Sequence, residues 1–342
     1  MAGFKRLDGA LSIAVAVLVL AVLGFGGWFG YSVYLDRQAA ESASPAMRVA
    51  KALRAQVKAA PNDPVMRVRL GEALAAAGQP QAAIEQLNAA LKIDPKHTGA
   101  LLDLGLLASS QNRPDEARGY FQKVVDLTEG SDLQDTNQRR EVAIYNLGLL
   151  AFQNKNYAEA IGQFKAALRI RTDASDTYFY LGESLYLSGD LDSAVKPVQT
   201  AIVFDPNFAQ AHYLLGEIYL AKKDKVNASY EFHKAATINP KAPEPKAAVA
   251  KFGDPAALVK SASSLENTDI ETALEDILIA RNLDPENAAA AVLHGDILMK
   301  RGDGKAALAV YREALKLDPK NTQVQAIVQQ LAVKYPTKPK KK

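Results

Sequence analysis

The sequence contains no cysteine and carries little net charge. Without cysteine the chain has no disulfide, no thiolate metal site and no cysteine nucleophile. The absence of cysteine is compatible with a location on either side of a membrane. The net charge is only +3, and part of it comes from lysines at the C-terminal end, so the composition predicts no nucleic-acid partner. Hydrophobic residues make up 48% and charged residues 23% of the 342 residues, which is typical of a globular or repeat protein.

Signatures of catalysis and of cofactor binding are also missing. The sequence has none of the motifs GxxxxGK, HExxH, GxSxG or GxGxxG. No two histidines stand three or four residues apart, as a metal site on one helix requires. The four histidines are His97, His212, His233 and His294. We therefore predict that the protein is not an enzyme and has neither a cofactor nor a metal site.

One long apolar run stands near the N-terminus. Residues 9–35 contain no charge, and residues 11–30 are long enough as a helix to cross about 30 Å of hydrocarbon. A cleaved signal peptide is the alternative, because the small residues at 42–46 suit a cleavage site, but its apolar region would be shorter, at roughly 7–15 residues. We predict an uncleaved transmembrane signal anchor at residues 10–35, in contact with the lipid bilayer.

The charges beside this run indicate its orientation. Lys5 and Arg6 precede it, whereas Asp36 and Arg37 follow it and cancel each other. The positive-inside rule then predicts a single-pass protein of the cell membrane with residues 1–9 in the cytoplasm and the remaining chain outside it. The inverted topology is the alternative, because the bias is only one or two charges.

The rest of the chain repeats with a period near 34 residues. A Leu-Gly pair recurs with its glycine at Gly71, Gly105, Gly148, Gly182 and Gly216. Alanine stands twelve residues after each of these glycines. A large apolar residue stands sixteen after each glycine, namely Leu87, Phe121, Phe164, Val198 and Phe232. Proline closes several of the units, because it cannot continue a helix. The small residues predict two helices that cross closely in every unit.

This spacing resembles the tetratricopeptide repeat (TPR), which has Leu-Gly at positions 7 and 8, Ala at 20, an aromatic residue at 24, Ala at 27 and Pro at 32. The resemblance implies an all-α fold in which a right-handed superhelix of helix pairs, closed by a capping helix, follows the transmembrane helix. The predicted segments are a linker and leading helix at 36–63, five copies at 64–240 with an insertion at 130–140, a degenerate and a final copy at 241–320, a capping helix at 321–335 and a basic tail at 336–342.

Two features depart from the repeat pattern. The degenerate copy has Lys260 and Ser261 where Leu-Gly is expected, so its first helix is not predicted by the motif. The proline-rich residues 240–245 precede that copy and predict a bend or break in the array. Residues 50–60 are predicted to form a lone helix ahead of the copies.

The TPR resemblance also implies a binding groove, because positions 2, 5, 9, 12 and 13 of each first helix line an inner face in that family. Large side chains there are not needed for packing of the repeat, and exposed apolar patches usually mark interaction sites. In copies three to five the predicted groove residues are Tyr145, Leu149, Phe152, Phe179, Glu183, Tyr186, Tyr213, Glu217 and Leu220. The alternative is that some of these rings pack sideways against the neighbouring repeat.

The predicted function follows from this groove. The cations by which chaperone-binding TPR proteins hold a terminal carboxylate are absent, whereas Glu183 and Glu217 favour peptide segments or helices with apolar and basic residues. We predict a membrane-anchored scaffold or chaperone that binds protein partners during assembly of an envelope or membrane complex. One alternative is a helper of cytochrome c maturation that holds the apocytochrome, and another is a TPR appendage of an enzyme complex without catalysis of its own.

Overall fold

A computed structural model describes residues 44–129 and 138–336, which form 17 α-helices. The helices are α1 Pro45–Ala59, α2 Pro64–Ala76, α3 Pro80–Ile93, α4 Thr98–Ser110, α5 Pro114–Leu127, α6 Gln138–Gln153, α7 Tyr157–Ile170, α8 Ser175–Leu187, α9 Leu191–Phe204, α10 Ala209–Ala221, α11 Lys225–Ile238, α12 Pro243–Ala250, α13 Pro255–Leu265, α14 Ile270–Leu283, α15 Ala288–Lys300, α16 Gly304–Leu317 and α17 Thr322–Lys334. The predicted all-α repeat architecture is therefore confirmed within these residues.

Several predictions concern residues outside the described ranges. No helix within residues 44–129 and 138–336 is long and apolar enough to cross a membrane. The predicted anchor at residues 10–35 lies outside these ranges and stays a prediction, as does the cytoplasmic segment at 1–9. Most of the predicted insertion and nearly all of the basic tail also lie outside them.

The first of two compact units extends to Ala143. In it α2 packs on α3 and α4 packs on α5, so that each pair is one repeat. The predicted leading helix corresponds to α1, which is not isolated but packs along α2. Ala50 and Val57 of α1 are buried in one cluster with Leu70 and Leu74 of α2. The leading helix therefore closes the N-terminal side of the first repeat.

The second unit begins at Ile144, within α6. In this unit α8 packs on α9 and α10 packs on α11, and α9 also contacts α10, the first helix of the next repeat. The final repeat is α15 with α16, and α17 packs on α16 as the predicted capping helix, with Val324 and Leu331 buried. The boundary predicted for the insertion differs from the structure, because α6 already begins at Gln138.

The Leu-Gly glycines lie where the two helices of a repeat approach most closely. A Cβ on Gly148 would stand 2.7 Å from the ring of Phe164, and a Cβ on Gly295 would stand 2.5 Å from the ring of Tyr311. Real Cβ atoms essentially never come within 3.0 Å of a non-bonded heavy atom of a packed neighbour. The glycine and the large residue sixteen positions later therefore form one packing unit, as the spacing predicted.

The turn between the two helices of a repeat has a recurring backbone. Gly78, Gly189 and Gly302 have φ values of 69°, 89° and 87°, in the left-handed region that glycine adopts without strain. In other copies Asn112, Lys155 and Lys223 adopt the same conformation. The next helix then begins at a capping side chain in several copies, such as Asp190, which accepts a hydrogen bond from the Ser193 N–H.

The regular stacking is interrupted after the fifth copy. An eight-residue helix, α12, begins inside the proline-rich stretch, and α13 supplies the first helix that the motif did not predict for the degenerate copy. Besides α12, α11 also packs on α14. Asn282 of α14 donates hydrogen bonds to the Val226 carbonyl oxygen and to Ser229 Oγ, both at 2.9 Å. Segment 241–320 thus contains one helix more than two helix pairs would.

Candidate functional site

A cavity of about 510 Å³ opens in the second unit among α8, α10 and the loop that leads into α12. Helix α8 contributes Phe179, Glu183, Tyr186 and Leu187 to its wall. The remaining lining residues are Ala209, Gln210, Tyr213, Leu214, Glu217, Asn239, Ala242, Glu244 and Pro245. Of the nine predicted groove residues, five therefore meet at one cavity: Phe179, Glu183, Tyr186, Tyr213 and Glu217.

Other aromatic rings pack against the aromatic side chains that line the cavity. The centroid of Phe179 lies 5.0 Å from that of Phe208 and 5.2 Å from that of Tyr180. The Tyr213 ring lies 5.4 Å from the ring of the fully buried Phe232. Such tilted ring contacts are favourable arrangements and limit rotation of the side chains. The cavity walls are therefore anchored to the core of their repeats.

Carboxylates stand among these rings. Burial raises the pKa of the Glu183 carboxyl. Burial, and after it the neighbouring Glu217 carboxylate, raise the pKa of the Tyr186 and Tyr213 hydroxyls. The carboxylate of Glu244 acts on Tyr213 in the same direction. No lysine, arginine or histidine lines the cavity. The site is therefore apolar and negatively charged.

The other four predicted groove residues do not reach this cavity. Tyr145 and Phe152 pack sideways against Tyr180, with ring centroids 6.3 Å and 5.6 Å apart. Leu149 packs against the buried cluster of the third to fifth copies, and Leu220 is 39% exposed. For Tyr145 and Phe152 the alternative of sideways packing therefore describes the structure, because Tyr180 occupies the space beside them.

Residues that the prediction missed complete the cavity. Gln210 and Leu187 stand at positions 2 and 13 of their copies, so the same family pattern indicated them. Glu244 and Pro245 belong to the proline-rich stretch, which was interpreted only as a bend. The start of α12 turns this stretch toward the cavity. No repeat position could have predicted that, because α12 is outside the repeat pattern.

A second, smaller cavity of about 390 Å³ lies in the first unit between α2 and α4. It is lined by apolar residues and by two acids, Glu72 and Asp103. Burial, followed by the Glu72 carboxylate, raises the pKa of Asp103 to about 7, although Arg139 opposes the shift. One carboxyl oxygen of Asp103 is buried without a hydrogen-bond partner.

Metal binding finds no support in the part of the chain that the structure describes. No group of three or more histidine, aspartate or glutamate side chains there could hold a metal ion. The buried His212 instead contacts Glu231, with Nδ1 2.6 Å from Oε2.

Comparison with known families identifies the repeats. A tetratricopeptide-repeat family model matches residues 37–98, 68–132 and 263–322. A second model of that description matches residues 142–173, and a TPR-repeat model matches residues 182–223. The chain belongs to the TPR family. The matches extend over both compact units, and the last of them includes α14, the second helix of the degenerate copy.

Relatives match the chain at low identity. The chain is 25% identical over 243 residues to the DnaJ protein P58IPK homolog B of Oryza sativa subsp. japonica, covering 68% of this chain and 51% of the relative. It is 25% identical over 153 residues to anaphase-promoting complex subunit 3 of Schizosaccharomyces pombe, covering 45% of this chain and 22% of the relative. The chain thus spans about half or less of the length of these relatives.

Solved TPR structures share the fold. The chain matches the Pseudomonas aeruginosa pilF protein with a TM-score of 0.52 and 20% identity, covering 70% of this chain and 99% of that one. It matches YrrB, described as a TPR protein with an unusual peptide-binding site, with a TM-score of 0.50 and 21% identity, covering 58% of this chain and 98% of that one. At these identities the likeness shows the fold alone.

Proposed function

We propose that this TPR protein is a non-catalytic scaffold or chaperone that binds peptide segments or helices of partner proteins at the cavity of the second unit. The observation that carries the proposal is the convergence of Phe179, Tyr186 and Tyr213 on one open cavity. Aromatic side chains bury large areas at low entropic cost, and for that reason they dominate the energetics of many interfaces. The carboxylates beside them favour a partner with both apolar and basic residues.

The test is the double variant Phe179→Ala with Tyr213→Ala. Partners are first identified by crosslinking in membranes and mass spectrometry, and binding is then measured on the purified full chain. The variant is expected to weaken binding by about 2 kcal/mol or more, because both rings wall the cavity. A matched control is Tyr178→Ala with Phe204→Ala, which removes a stacked pair of rings that does not line the cavity. Unchanged partner binding by the first variant, with helical circular dichroism intact, would refute the site.

We further propose that residues 10–35 anchor the protein in the cell membrane, with the repeats on the extracytoplasmic side. The uncharged apolar run and the cations Lys5 and Arg6 support this proposal. In that location the repeats would assist assembly of an envelope or membrane complex.

The topology is tested by reporter fusion after Lys342. A reporter enzyme that is active only outside the cytoplasm is expected to be active there. Activity of a cytoplasm-only reporter at the same site would contradict the orientation. A fusion that lacks residues 10–35 is the control, because it should abolish activity of the first reporter and release the protein from the membrane fraction.

A further inference from the structure

We propose that the cavity of the second unit binds one lysine or arginine side chain of the partner as its anchor, so that a cation selects the ligand. The inference rests on the proposed function, in which a protein segment occupies this cavity. It goes further in assigning the cavity itself to a basic side chain, whereas the function alone would be satisfied by an apolar one.

The charges of the cavity are the first argument. Glu183, Glu217 and Glu244 line it, and no basic residue does. Within residues 44–129 and 138–336, none of these three carboxylates is in an ion pair with a lysine, arginine or histidine. Glu183 is also partly removed from water, and its raised pKa reflects that cost. An arriving cation would relieve the poor solvation of Glu183.

The rings are the second argument. Phe179, Tyr186 and Tyr213 stand around the same space as the carboxylates. A cationic head within about 6 Å of an aromatic centroid is attracted by the negative ring face, and more strongly where water is excluded. Tyr213 and Glu217 stand one helical turn apart on α10, so this ring and this carboxylate are neighbours on one face of the helix. A cation beside one therefore lies beside the other.

The shape of the cavity agrees with a long side chain. Its volume is about 510 Å³, and Leu214 and Pro245, both buried, offer apolar surface beside the charged groups. Lysine and arginine bury an apolar stem and keep their charge at the tip, which matches such a wall. A leucine or methionine in the same place would remove the carboxylates further from water without a partner, which costs free energy. An acidic side chain would be repelled.

The experiment begins from a phage-displayed random dodecapeptide library, selected on the full chain purified in a mild non-ionic detergent. Selected peptides that lose binding to the variant Phe179→Ala with Tyr213→Ala are synthesised, and their Kd values are measured by fluorescence anisotropy. Replacing the anchoring lysine or arginine by norleucine is expected to raise Kd by about 10-fold or more. The variant Glu183→Gln with Glu217→Gln should raise the Kd of the parent peptide similarly and leave that of the norleucine peptide almost unchanged.

A charge-matched control is Glu85→Gln with Glu286→Gln, which removes two exposed carboxylates that do not line the cavity. It should leave the Kd of the parent peptide unchanged. If norleucine peptides bind as tightly as their parents and the cavity variant binds them equally, the cation assignment is overturned while the proposed function stands. If no selected peptide depends on Phe179 and Tyr213, the proposed function fails as well.

Discussion

Replacing Gly182 by leucine should destabilise the fourth copy, and the same change at Gly162 should not. Gly182 lies in α8 against α9, where an added Cβ would overlap the Val198 side chain and stand 3.3 Å from both the Ala194 carbonyl oxygen and the Val198 nitrogen. Gly162 is exposed within α7, and a Cβ there would meet nothing within 4 Å. The substitution at Gly182 therefore measures the effect of packing, and the same substitution at Gly162 measures the effect of helix propensity alone.

The expected magnitudes have opposite signs. Inserting a side chain into a packed core typically costs about 1–3 kcal/mol, because neighbours must leave their rotamers or the backbone must move. Val198 is fully buried and β-branched, so its χ1 is stiff, and the two backbone contacts of Gly182 cannot rotate away. At Gly162 the same leucine should stabilise the protein by about 0.5–1 kcal/mol, since glycine is a poor helix former.

The assay is urea unfolding of the full chain by far-ultraviolet circular dichroism, together with hydrogen exchange of amides in α8 and α9. Because repeat proteins can unfold in parts, the exchange data assign the loss of stability to the fourth copy. Adding Val198→Ala to Gly182→Leu should recover about 1 kcal/mol relative to the sum of the single changes, since the two side chains share one space. Equal protection of α8 and α9 in Gly182→Leu and the unchanged protein would refute the packing argument.

Two further predictions concern pH. Burial and Arg281, whose Nη1 lies 2.6 Å from His294 Nδ1, lower the pKa of His294 from 6.5 to about 4, so the fold holds the neutral ring and stability is lost as pH falls from about 6.5 to 4. In the unchanged protein the free energy of unfolding should fall by about 2–3 kcal/mol over that pH range. In the variant His294→Gln the midpoint of urea unfolding should depend much less on pH over the same range. In the first unit the sign reverses, because the raised pKa of Asp103 removes stability as pH rises from about 4 to 7. Asp103→Asn should therefore stabilise that unit at pH 8 by about 1–2 kcal/mol, measured by hydrogen exchange in α2 and α4, and no gain would contradict burial of the charge.

The repeat could be predicted from the sequence because its signals are local and recurrent. Each glycine and its large partner stand sixteen residues apart, so every copy independently indicates the same register of the repeat. The first helix of the degenerate copy could not be predicted from the motif, because Lys260 and Ser261 stand where Leu-Gly is expected. In the structure Ser261 Oγ donates a hydrogen bond to Asp276 of α14 at 2.6 Å, which replaces a packing contact by a polar one that no motif encodes.

The candidate site could be predicted only in part, for a similar reason. Position in the repeat indicated Phe179 and Tyr213, which line the cavity, because a given position faces the same way in every helix pair. Whether a ring reaches open space depends on its neighbours from other repeats. Tyr180 fills the space beside Tyr145 and Phe152, with ring centroids 6.3 Å and 5.6 Å away, and this is decided by contacts between copies.

The contact between α11 and α14 has a consequence for synthesis of the chain. In the regular copies, a helix is covered by residues that leave the ribosome within about one 34-residue period. The part of α11 that receives Asn282 is covered by a partner 53 residues after Ser229. During translation this face of α11 stays uncovered through the making of α12 and α13. A nascent chain that ends before α14 therefore leaves the Val226 carbonyl oxygen and Ser229 Oγ of α11 without the Asn282 amide that they bind in the finished fold.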